Sequence, residues 1–97
     1  MKIEIPNLNS RRGAPMGRAA YGPIEEYDLP IKFYLQRMKM IDGDYDTGGA
    51  YWGGYPSAPM YVAESVDKKH RYYVRGLNRE QAKEEVKLMY QNAKFFN

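Results

Sequence analysis

The sequence has no cysteine and a single histidine. Disulfides, thiolate metal ligands and thiol nucleophiles are thereby excluded together, and histidine-based acid–base chemistry is confined to His70. No apolar run approaches the ~20 residues of a membrane helix, and the N-terminus has no apolar stretch of the signal-peptide kind. These absences point to a cytoplasmic chain. Serine is scarce as well: Ser10, Ser57 and Ser65 are the only serines, so a Ser/His/acid triad has few ways to assemble. With 97 residues the chain makes one domain at most, and a domain of this size buries only about 60–65% of its unfolded surface. A deep catalytic cleft is not expected.

What is present is unevenly distributed. The net charge is +3, but the first 23 residues carry Lys2, Arg11, Arg12 and Arg18 against Glu4 alone, whereas residues 24–47 are acidic. Residues 6–30 contain four prolines and three glycines without a sustained period. They read as an arm, either disordered until bound or laid extended over the rest with Leu8, Met16 and Tyr21 as anchors. The division expected is an arm over residues 1–30 and one small domain over 31–97.

Within that domain, Ile31, Phe33 and Leu35 alternate with Lys32, Tyr34 and Gln36, the period of a half-buried strand, and the phase shift at Met38 and Met40 predicts a bulge near Arg37. Met60–Ser65 and His70–Arg75 form two further strands joined by the polar connection 66–69, with Val62, Tyr72 and Val74 facing inward and Arg71, Tyr73 and Arg75 sharing the other face. Asn78 is a suitable N-cap with Gln81 in the reciprocal position. Ala82, Val86, Met89, Tyr90 and Ala93 then recur at helical spacing, and Lys83, Glu84, Glu85 and Lys87 take the solvent side. Asn92 suits a left-handed helix end, after which Lys94–Phe96 forms a short strand that buries one phenylalanine. The fold class expected is α+β: a small antiparallel sheet of three to four strands on one C-terminal helix.

Between the first two strands lies DGDYDTGGAYWGGYPSAP, residues 42–59, with five glycines, three acids, three tyrosines and the only tryptophan, but no lysine or arginine. Loops of this length are uncommon in compact domains, and when they carry aromatics on a glycine-rich backbone they are usually binding surfaces or folded lids. Asp42, Asp44 and Asp46 stand at alternate positions like the first ligands of a calcium loop. The pattern breaks at Thr47, where the turn glycine belongs, and at Gly53, where the bidentate glutamate belongs. No metal or other cofactor is expected. The acids are better matched to the arm's Arg11, Arg12 and Arg18. Trp52 has two readings, a plug over a small core or the centre of a contact surface, and both hold together if Trp52 turns in while Tyr51 and Tyr55 stay out.

The candidate partner-binding set is therefore Tyr51, Trp52, Tyr55, Asp42, Asp44, Asp46, Arg11, Arg12 and Arg18. An alternative set, Arg71, Tyr73 and Arg75, suits nucleic acid, because aromatic faces stack bases and cations meet phosphates, although the acids of the loop oppose it. Gly13–Arg18 lacks the G-K-[ST] ending of a phosphate loop, Glu25 and Glu26 diverge in extended chain, and His70 among Lys68, Lys69 and Arg71 reads as a surface residue. No catalytic residue is nominated. A homo-oligomer built on the open sheet edge is a further option.

The strings PNLNSRRGAPMGR at Pro6–Arg18, DGDYDTGGAYWG from Asp42 onward and YYVRGLNREQAKEEV at Tyr72–Val86 resemble small accessory proteins of tailed phages and prophages. That group has no assigned activity, so the resemblance implies context and no catalytic residues. It implies a protein that binds a host protein in the host cytoplasm, with an anti-CRISPR-like inhibitor of antiviral defence as its sharpest form.

Overall fold

The computed structural model describes residues 18–41, 45–52 and 58–96. In order, these form a 3-10 turn at Ile24–Glu26, strands β1 (Lys32–Arg37), β2 (Met40–Ile41), β3 (Tyr45–Asp46), β4 (Met60–Ser65) and β5 (Arg71–Arg75), helix α1 (Arg79–Met89) and strand β6 (Lys94–Phe95). The class is α+β, as the patterning indicates. A four-stranded sheet of order β5-β4-β1-β6 carries the helix, and β2 and β3 make a separate two-stranded ribbon. No helix among the described residues is long and apolar enough to cross a membrane.

The hairpin β4–β5 closes where turn chemistry dictates. Ser65 Oγ donates to Asp67, Asp67 accepts the Lys69 N–H at 2.9 Å, and Lys68 takes the left-handed conformation that the tight turn needs. β1 pairs antiparallel with β4, Phe33 opposite Ser65 and Leu35 opposite Ala63. β6 instead pairs parallel with β1, Lys32 beside Lys94 and Phe33 beside Phe95, so the sheet is mixed rather than wholly antiparallel. A strand that returns after a helix can add to the sheet in the direction of the strand before that helix, and β5-α1-β6 does so with two strands between them.

One face of the sheet meets the helix. Phe33, Leu35, Tyr61, Ala63, Tyr72 and Val74 from the strands enclose Ala82, Val86 and Tyr90 of the helix and its C-cap, all buried. Tyr90 is the pivot, with its ring 5.0 Å from Phe33 and 4.6 Å from Tyr27 of the arm. Register corrects the expectation for Val62: it pairs with Tyr73 and Gln36 and therefore looks to the opposite face. Gly76 allows β5 to turn into the helix, since a Cβ there would sit 2.8 Å from the Ala82 nitrogen.

The helix starts at the expected cap, Asn78 Oδ1 accepting the Gln81 N–H at 2.9 Å, but the Gln81 side chain accepts from Leu77 N rather than from the cap residue itself. Its far end departs from expectation. Asn92 is not left-handed; the helix closes with Tyr90 N–H on Val86 O, and the Asn92 amide donates to Asp28 O. Lys83 is not wholly on the solvent side, because its stem is largely covered and its ammonium lies 5.8 Å from the Phe95 ring.

The described part of the arm is laid against the sheet. Tyr21 exchanges both backbone hydrogen bonds with Arg71 along the outer edge of β5, and Ala20 and Tyr27 are buried in the core. The expected anchors Leu8 and Met16 lie outside the described residues.

Candidate partner-binding surface

The second face of the sheet is roofed at one end by the glycine-rich segment, and Asp46 organises that roof. Strand alternation at β3 turns Asp46 in and Tyr45 out. Asp46 Oδ1 accepts the Gly48 and Ala50 N–H groups at 2.9 and 3.0 Å, while Oδ2 accepts Trp52 Nε1 and Arg18 Nε, each at 3.0 Å. The loop thus closes on its own aspartate. Gly49 supplies the positive φ of the turn, and Gly48 makes room for the arm, since a Cβ there would fall 1.9 Å from Arg18 Nη2. Burial pushes the Asp46 carboxyl up, but the donors from Trp52, Ala50, Arg18 and Gly48 outweigh it and hold the group at about 2, against an ordinary 3.8.

The same closure places Trp52. Its indole is buried, with the ring centroid 4.8 Å from that of Tyr73 on β5. Beneath it, Arg75 Nη1 donates to Ala58 O at 2.7 Å and Nη2 to Trp52 O at 3.2 Å, so one guanidinium ties Trp52 to Ala58. Trp52 is therefore an inward residue in this fold. Arg71, Tyr73 and Arg75 do share a face, but Tyr73 and Arg75 are buried under the roof, and the Arg71 guanidinium is held by Glu64, Nε at 3.1 Å. As a set they do not meet solvent.

No family model, curated protein or solved structure matches the chain.

What the roof turns outward is an aromatic platform. Ile41 lies opposite Tyr45 in the ribbon, and Tyr45 is bridged in turn to Tyr51, so the three side chains fall on one side. The Tyr45 and Tyr51 rings lie 5.1 Å apart, and Ile41, Tyr45 and Tyr51 remain 49%, 45% and 37% exposed. Of the candidate set, the structure brings together Arg18, Asp46, Tyr51 and Trp52, the first two as an ion pair. Arg11, Arg12, Asp42, Asp44 and Tyr55 lie outside the described residues. Sequence reading passed over Ile41 and Tyr45. Tyr45 stands beside the buried Asp46 and Tyr51 beside the buried Trp52, and the register that turns both tyrosines outward has no local signal in the sequence.

His70 requires the plainest correction. It is 1% exposed, with Nε2 2.9 Å from Glu26 Oε1 and Nδ1 3.3 Å from the Tyr90 hydroxyl. Gly22 of the arm packs over it so closely that a Cβ would fall 2.2 Å from Nδ1. The histidine is enclosed and fastens the arm to the core.

Proposed function

We propose that the chain is a non-catalytic protein-binding module that docks its partner through Ile41, Tyr45 and Tyr51. One observation carries this reading: a buried, hydrogen-bonded Asp46–Trp52 centre holds two tyrosines, packed with tilted rings, outward beside a short ribbon. Tyrosine offers a large rigid contact at small entropic cost and is enriched among residues that dominate binding energy. Fixing the loop before contact lowers the ordering cost of association. Three side chains form the centre of an interface rather than the whole, since stable complexes cover about 800 Å² on each partner.

The resemblance to phage accessory proteins suggests a host protein as the partner, and interference with antiviral defence as the purpose. The decisive experiment is capture from a bacterial lysate treated with nucleases, comparing the native chain with the Tyr45→Ala/Tyr51→Ala double variant. Retained Trp52 fluorescence and melting temperature, with loss of the captured protein, is the expected outcome. Equal capture by the folded double variant refutes the platform.

A further inference from the structure

The end of the sheet's second face that the roof leaves bare carries a different constellation. Tyr34, on a central strand, is 48% exposed, and its ring stacks on Phe96 at 4.4 Å with only 12° between the planes. Lys32 Nζ lies 4.0 Å from the Phe96 centroid. Phe96 thus carries the Tyr34 ring stacked on one face and the Lys32 ammonium over its centre, while about half of Tyr34 stays open to solvent. Cross-strand register continues the row through Glu64 to Arg71. Next to it lies a depression of about 530 Å³ lined by Tyr34, Gln36, Val62, Glu64, Arg71 and Lys39.

The charges on this surface do not cancel. Glu64 is neutralised by Arg71 and Asp46 by Arg18, whereas Lys32 and Lys39 make no ion pair among the described residues. An aromatic face on a central strand, flanked by surplus cations and with the Gln36 amide beside it, matches what single strands require. Unpaired bases stack on exposed rings, and backbone phosphates seek lysine and arginine. An acidic peptide would satisfy the lysines but gain nothing from a flat ring pair.

We propose that this face binds single-stranded nucleic acid, with a base on Tyr34 and phosphates at Lys32 and Lys39. The site differs from the Arg71/Tyr73/Arg75 set in resting on side chains that the fold leaves accessible. It is also separate from the tyrosine platform.

The test is fluorescence anisotropy of labelled oligo-dT and oligo-U, each about 12 nucleotides, a length within the usual range of single-strand sites. Binding at low salt should weaken about tenfold or more in Tyr34→Ala and be largely kept in Tyr34→Phe. Lys32→Ala/Lys39→Ala should lower the slope of log affinity against log salt by about 1.4, since each single-strand phosphate contact contributes about 0.7. Circular dichroism confirms that each variant is folded. No oligonucleotide binding at low salt overturns the proposal, as does binding indifferent to Tyr34→Ala. A poly-glutamate peptide that binds as tightly as the oligonucleotide at equal charge concentration, with binding unchanged in Tyr34→Ala, assigns the face to an acidic peptide instead.

Discussion

Replacing Asp46 with asparagine keeps the size of the side chain and removes its charge, which makes it a clean probe of the roof. In the native chain four residues donate to the two carboxylate oxygens. In Asp46→Asn the carbonyl oxygen can still serve the Gly48 and Ala50 N–H groups, but the NH2 then faces Trp52 Nε1 and Arg18 Nε, donor against donor. The fall of the carboxyl from 3.8 to about 2 corresponds to about 2 kcal/mol of native stability. A buried indole N–H left unsatisfied adds to this, for a total of about 3 kcal/mol at neutral pH. Because the folded value is depressed, this contribution is complete above pH 3.8 and disappears as pH falls through about 2. Urea unfolding followed by Trp52, the only tryptophan, reads it directly. The native chain should exceed the variant by about 3 kcal/mol at pH 7, and the gap should narrow by about 2 kcal/mol on acidification to about pH 2. Other carboxylates titrate equally in both proteins, so the difference isolates Asp46. Equal urea midpoints at neutral pH, or a gap that does not change with acidification, refute the reasoning.

Other perturbations test the frame around the site. Gly76→Ala drives a Cβ against the backbone at Ala82 and Asn78, which cannot yield as a side chain would; a loss of about 2–3 kcal/mol is expected in denaturant unfolding. His70→Leu fills the cavity but strips Glu26 and the Tyr90 hydroxyl of their partner, costing about 2 kcal/mol, or a fall of about 10 °C in melting temperature. Arg79 donates to Leu35 O at 2.6 Å and Phe96 O at 2.9 Å, so Arg79→Ala should cost about 1–2 kcal/mol and accelerate amide exchange in β6 before the rest of the sheet.

The elements that could be read from sequence are those whose signals are local. β4 runs over Met60–Ser65 as expected because its apolar positions and the Asp67 turn both lie within a few residues, and the helix begins where Asn78 caps it. Val62 escaped because β4 is covered on both faces: Tyr61 and Ala63 meet the helix, Met60 is also buried, and alternation then carries no direction. His70 escaped because its burial comes from Glu26, 44 positions away, while its sequence neighbours are charged. The parallel sense of β6 is a property of the β5-α1-β6 path, not of its two residues. At the site, charge matched the loop's acids to the arm's arginines without singling out Arg18 and Asp46, and the size of Trp52 fitted an inward and an outward placement alike. The tyrosine platform depends on a register between short strands, which sequence does not record.

The grip of Arg75 on Trp52 O and Ala58 O has a consequence for how the surface can change over time. Trp52 and Ala58 are held together by one guanidinium, so the entropic cost of the chain that joins them grows only slowly with its length. Doubling its length costs only about 0.6 kcal/mol. The sequence between Trp52 and Ala58 can therefore change in length at small energetic cost while the sheet and helix on either side stay anchored by Arg75.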